Sequence, residues 1–225
     1  MNVFHRIAKK VGSYTKERSF ALNQLDLKLW QHLDFNDGFF IEAGANDGVK
    51  QSNTLYLERY KNWTGILIEP IPELVVKCRL NRPNCVVENY ALVPFDFKGN
   101  RIEMRYCGLM SLVKGSLKTD EEEATFIRKG LEVQKHVDAD YVVEVPTRTL
   151  TSILEHHTVR VVDLLSLDVE GYELSVLKGI DFDRHRPAYM LIEANLRDEI
   201  DAFVHPLYEP VAELSPHDVL YKSRF

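Results

Sequence analysis

Three cysteines, Cys78, Cys85 and Cys107, are too few for a disulfide framework, and no CxxC pair points to a zinc knuckle. Read as reduced, partly buried thiols, they fit a cytoplasmic chain. No run approaches the ~18 consecutive apolar residues that a membrane span needs, so no integral membrane segment is expected. Neither G-x-G-x-x-G nor a Gly-Lys-Ser/Thr ending occurs, which removes the fingerprints of dinucleotide folds and P-loops. Internal repeats and low-complexity stretches are absent. Positive charge is also scarce. Lys and Arg number 28 against 34 Asp and Glu, a formal net charge of −6, so nothing draws the chain to nucleic acid or anionic lipid in general.

What remains is an ordinary soluble composition. A chain of 225 residues, 45% hydrophobic and 28% charged, can bury one sizeable core. The start, residues 1–36, reads as a helical lead-in. Its first part is basic (Arg6, Lys9, Lys10, Lys16, Arg18) without the apolar stretch of a signal peptide, and Val3, Phe4, Ile7 and Val11 have helical spacing. Residues 20–33 read as a further helix. From residue 37 to 225 one domain is expected, with a variable insertion at about 108–140. That insertion carries Glu121, Glu122 and Glu123 in a row and reads either as an exposed helix or as a lid over a site.

Strand and helix alternate from residue 38 to about 195. GFFIEAG, WTGILIEP, NCVVENYALV, VVDLLSLDVEG and AYMLIEAN are strand candidates, with helical periods in NTLYLERY, IPELVVKCRLNR and ELSVLKGI between them. EVPTRTLTSILEHH adds a strand, a Thr149 or Thr151 cap and a helix. EPVAEL and DVLYKS suggest two last strands joined by a turn. The pattern predicts a Rossmann-like α/β sheet, mostly parallel with an antiparallel edge and helices on both faces. Ligands then bind outside the carboxyl ends of the strands.

Three strand ends carry chemistry. The first reads Glu42-Ala43-Gly44-Ala45-Asn46-Asp47-Gly48, where glycines permit a tight turn and a close backbone approach to a ligand. A carboxylate there suits a ligand with a positive end and repels a pyrophosphate. The second ends in Glu69-Pro70, where a carboxylate can accept from two ribose hydroxyls. The third reads Leu167-Asp168-Val169-Glu170-Gly171-Tyr172-Glu173. While the segment is extended, alternation places Asp168 and Glu170 on one side, and two nearby carboxylates can divide the roles of base and orienter. Glu173 reads instead as a helix-opening acid.

FIEAGANDGVKQSNTLYLE, GILIEP, NYAL, TRTLTSIL and LLSLDVEGYELSVLKGI resemble, in order and spacing, the FkbM family of methyltransferases, from about Phe39 to Glu193. The resemblance implies a class I methyltransferase fold, S-adenosylmethionine as donor, and O-methylation of a hydroxyl on a sugar, glycan or natural product. It implies that Glu42, Gly44, Ala45, Asn46 and Gly48 line the methionine and ribose side, and that Ser52 and Asn53 cover it. Glu69, followed by Pro70, would hold the ribose hydroxyls, with Asn89 and Ala91 flanking the adenine. Asp168 would face the reacting centre as general base with Glu170 beside it; His156, His157 and His185 are alternative bases. Magnesium on Asp168, Glu193 and Asn195 is conceivable but not favoured. N-methylation, or a cofactor-binding interaction protein without catalysis, stands as the alternative. A homodimer is allowed without being required.

Overall fold

The computed structural model describes residues 18–116, 119–133 and 140–225. The lead-in helix expected from Val3 to Val11, and parts of the insertion, lie outside the described residues. Seven strands form the main sheet: β1 (Phe39–Ala43), β2 (Thr64–Ile68), β3 (Val86–Glu88), β8 (Leu164–Leu167), β9 (Tyr189–Glu193), β10 (Tyr208–Glu213) and β11 (Asp218–Ser223). Their order is β10-β11-β9-β8-β1-β2-β3. The five central and right-hand strands run parallel, and β11 enters antiparallel to both β9 and β10. This is the expected α/β sheet, mostly parallel with an antiparallel edge.

Alternation along each strand builds two cores. Phe40, Leu67, Leu164 and Leu191 face one side, where they pack with α1 (Leu25–Leu33), α2 (Leu55–Lys61) and α3 (Pro72–Asn81). Ile41, Ile66, Leu165 and Ile192 face the other, against α5 (Leu150–His156), α6 (Glu173–Leu177) and α7 (Arg197–Val204). With both faces covered, the strands read as continuous apolar runs, which is why the sequence exposed them.

A second, four-stranded sheet stands apart, in the order β4-β7-β5-β6. It comprises β4 (Ala91–Leu92), β5 (Arg101–Tyr106), β6 (Leu112–Val113) and β7 (Tyr141–Arg148), with α4 (Asp120–Val133) packed near it. Its apolar side, Met104, Val113 and Val145, meets Ile71 and Leu74 at the start of α3. The single strand expected over NCVVENYALV is therefore two. Asn89 causes the break: its Nδ2 donates to the carbonyls of Glu69 (3.0 Å) and Pro70 (2.8 Å), turning the chain out of the first sheet and into the second. Strand β5 and helix α7 were not anticipated. Of the two cap candidates Thr149 is the cap, accepting from Ser152 N at 3.1 Å, while Thr151 donates to Gly179 O.

Candidate active site

The carboxyl ends of β1, β2, β8 and β9 meet in one cavity of about 420 Å³. It opens where the chain leaves β1 for one side of the sheet and later returns to β8 on the other, the switch point at which an open sheet parts its loops.

Gly44 forms the floor. Its φ of +85° and the Asp168 carbonyl behind it leave no room for a side chain, so bare backbone faces the cavity. Asn46, at φ +50°, turns the loop toward β2 and donates its backbone N–H to Glu69 Oε2 at 2.8 Å. Ile71 N donates to Glu69 Oε1 at 2.9 Å. Both carboxylate oxygens are thus held by backbone, and each keeps capacity for a further hydrogen bond. Burial pushes the Glu69 carboxyl up to about 7, against the pull of those two hydrogen bonds.

Part of the cavity wall is acidic. Asp168, Glu170 and Glu193 all line it. Asp168 is exposed into the cavity, whose walls hold its carboxyl away from bulk water. That enclosure, with Glu193 and then Asp218 nearby, holds its carboxyl well above the usual carboxylate range, and it shares a hydrogen bond with Glu193. Burial, then Asp168 and Glu193, raises Glu170 to about 10, and burial raises Glu193 to about 7. Glu170 is held at φ +55°, a left-handed conformation that a side-chain-bearing residue adopts only when its surroundings fix it. Glu173 lies behind, its Oε1 accepting from Val169 N (3.0 Å) and Gly171 N (3.1 Å). It ties the loop that carries Asp168 and Glu170, which agrees with a helix-opening role.

The roof comes from the second sheet and the 108–140 segment: Met104, Leu109, Met110, Val113 and Phe126. Of the two readings of the 108–140 segment, cover over a site describes Met110 and Phe126. The far side of α4, with Glu121 and Glu122 exposed, is an ordinary solvated helix face.

The methyltransferase FkbM domain family matches residues 42–213, most of the chain. The chain belongs to the FkbM methyltransferase family. No curated protein shows a significant match to it. Among solved structures it is similar to the methyltransferase FkbM of Methylobacillus flagellatus KT, at 16% identity and a TM-score of 0.48, over 83% of this chain and 43% of that one. It thus spans less than half the length of that structure. A TehB-like SAM-dependent methyltransferase of Corynebacterium glutamicum gives 9% identity and a TM-score of 0.44, over 98% of this chain and 96% of that one. A human methyltransferase 10 domain containing protein gives 12% and 0.44, over 89% and 82% respectively.

Of the residues that the FkbM resemblance singles out, Gly44, Asn46, Glu69, Pro70, Ala91, Asp168 and Glu170 line the cavity. Glu42, Ala45, Gly48, Ser52, Asn53 and Asn89 stand behind that wall. Glu42 is a buried hub: it accepts from Thr54 Oγ1 (2.6 Å), Ser52 Oγ (2.9 Å) and Asn53 N (2.8 Å), and Arg82 lies 3.6 Å away. Its carboxylate holds the loop that shapes the floor and does not itself reach the cavity. Gly48 packs on Arg82, where a Cβ would fall 2.8 Å from Cγ. Asn53 bonds Ser166 on β8 at 3.1 Å. Tyr90, Tyr172, Met104, Met110, Phe126 and His217 line the cavity without having been singled out. Tyr90 lies inside the NYAL segment and was within reach of sequence reasoning. The roof residues were not, since only the second sheet brings them over the floor.

Proposed function

We propose that this FkbM methyltransferase transfers a methyl group from S-adenosylmethionine to a hydroxyl of a small-molecule or carbohydrate acceptor. The observation that carries the reading is that Glu69, Asp168 and the bare backbone of Gly44 line one cavity. The donor set fits the group. Glu69 offers two preset acceptors for vicinal hydroxyls, and Pro70, Tyr90, Ala91 and Leu92 offer a flat, mostly apolar wall for a purine. Asp168, Glu170 and Glu193 form a crowded carboxyl trio that favours positive charge.

When bound, S-adenosylmethionine supplies an electrophilic methyl on a positively charged sulfur. The chain's own work is positioning and proton transfer. By itself the carboxyl trio suppresses its own ionisation. Positive charge offsets that repulsion, so the trio sheds protons as the site fills. Ionised Asp168 then accepts the proton of the acceptor hydroxyl, while Glu170 and Glu193 hold its orientation. The apolar roof of Met110 and Phe126 excludes water that would otherwise compete as acceptor.

Calorimetric titration of the purified chain with S-adenosylhomocysteine, with NAD as control, tests this reading. Saturable binding in the parent, weakened in Glu69→Gln and absent with NAD, is the expected result. No binding by correctly folded protein would remove the donor assignment.

A further inference from the structure

Away from the cavity, the outer edge of the main sheet gathers a second set of ligating side chains. Glu88 ends the edge strand β3, and His156 and His157 close helix α5. One ligand atom from each lies within 4.8 Å of the other two, an arrangement found at no other group of three or more His, Cys, Asp or Glu among the described residues. His157 Nε2 stands 2.5 Å from Glu88 Oε1, and the two imidazoles meet edge to face with centroids 4.8 Å apart. None of the three lines the cavity.

The backbone under these side chains is fixed on both sides. Helix α5 ends in a double closure: Thr158 N donates to Glu155 O (3.0 Å) and Val159 N to Leu154 O (2.9 Å), around Thr158 at φ +54°. A β-branched residue in that left-handed conformation is strained, so the closure is held by its surroundings and is not a relaxed helix end. Glu88 is registered against Ile68 on β2, and its carbonyl accepts from Glu69 N at 3.1 Å. The donors therefore come from two rigid elements. Glu88 and His157 are largely covered, with side chains 15% and 25% exposed, while exposed His156 leaves a path from solvent.

We infer that Glu88, His156 and His157 form a divalent-cation site for zinc, with water completing the coordination. Two imidazole nitrogens and one carboxylate oxygen suit a borderline cation; magnesium and calcium prefer oxygen throughout. The donor atoms are close enough for modest side-chain rotations to bring them to bonds of roughly 2 Å. Such an ion clasps the end of α5 to β3, one residue before Asn89, whose amide holds the carbonyls of Glu69 and Pro70. It is a structural clasp beside the site and takes no part in the chemistry.

Cobalt reports this directly, because its visible absorption depends on coordination and nitrogen ligation. The full chain, stripped of metal with a chelator, is titrated with Co²⁺ and then with Zn²⁺. We expect one equivalent of absorbing Co²⁺, displaced by Zn²⁺. Affinity should fall at least about tenfold in both His156→Ala and Glu88→Gln, the lower end of losses seen even for outer-shell partners of metal ligands. Far-UV circular dichroism checks that the variants fold, and exposed His156 makes the first of them a safe substitution. No saturable binding by the parent overturns the site, as does undiminished binding in a folded His156→Ala/His157→Ala protein.

Discussion

The carbonyl oxygen of Asp168 lies 1.8 Å from where a Cβ on Gly44 would stand. The floor of the cavity and its acidic wall are thus one packed unit, joined also by the Asp168 N–H donating to Ala43 O at 3.2 Å. A methyl at residue 44 has to part β1 from β8, because the obstacle is backbone and not the flexible end of a side chain. Gly44→Ala should therefore destabilise the fold by more than the ~1–3 kcal/mol of a strained left-handed residue alone. Denaturant unfolding reads that loss. A variant as stable as the parent would show that the two strand ends move independently.

Buried carboxyls whose pKa rises give stability a definite pH dependence. Glu69 and Glu173 move from the ordinary carboxyl value of 4.5 up to about 7 because burial disfavours their charged forms. The folded protein then binds more protons than the unfolded chain between those two values. Stability is fully present below pH ~4.5 and is lost as pH rises through ~7. Unfolding free energy should fall across that window in the ligand-free protein. Glu173→Gln keeps an acceptor for Val169 N and Gly171 N and removes the buried charge, so it should gain on the order of 1–3 kcal/mol at pH 8. A loss at pH 8 would contradict the burial argument.

Arg82 lies at the centre of the network behind the floor. It is fully buried, ion-paired with Glu58 and near Glu42, and donates to Gly48 O (3.0 Å), Ser52 Oγ (3.1 Å) and Thr54 Oγ1 (3.1 Å). Removing it leaves two carboxylates without their cation. Arg82→Ala should cost about 3–5 kcal/mol and weaken donor binding without touching the ligand. Thermal unfolding and calorimetry together check this, and a variant that keeps full stability would show the network to be dispensable.

The sheet was legible because its strands are buried on both faces. Phe40-Ile41, Ile66-Leu67 and Leu164-Leu165 announce themselves as apolar runs, and the strand-end residues Gly44, Glu69 and Asp168 follow them in the sequence. Side-chain direction was not legible. Glu42 and Glu69 both follow or close an apolar run, yet Glu42 points into a polar hub around Arg82 and Glu69 into the cavity. That difference depends on Arg82, contributed from the end of α3, and no local pattern around Glu42 reports it. The second sheet was hidden for a different reason. Strand β5 is half-exposed, and it pairs with β7 across a segment of the chain that includes α4. Its polar alternation resembles that of a charged loop, and Asn89 redirects the chain at a point where the apolar pattern continues unbroken.

Roof and floor should separate in kinetics. Phe126 and Met110 reach the cavity from the 108–140 segment, whereas the proposed adenosine contacts come from β1, β2 and the Asn89 turn. Phe126→Ala should raise the KM for acceptor while leaving the affinity for S-adenosylhomocysteine unchanged. Equal weakening of both would place Phe126 against the donor instead.

Asp168 bears the heaviest mechanistic claim, and Asp168→Asn isolates it. The amide keeps the size of the side chain and loses the ability to accept the acceptor's proton. General-base catalysis contributes roughly 10²–10⁴-fold, so turnover should fall by that factor. S-adenosylhomocysteine affinity should change far less, because the neutral product lacks the positive charge that the carboxyl trio favours. The variant should also fold at least as firmly as the parent near neutral pH, since one member of a crowded group of acids is gone. Turnover, product binding and unfolding measured on the same preparation distinguish the possibilities. Unchanged turnover in a folded variant removes Asp168 from the proton path and turns attention to Glu170, which shares the loop and the cavity. Lost turnover with lost product affinity would make Asp168 a binding residue.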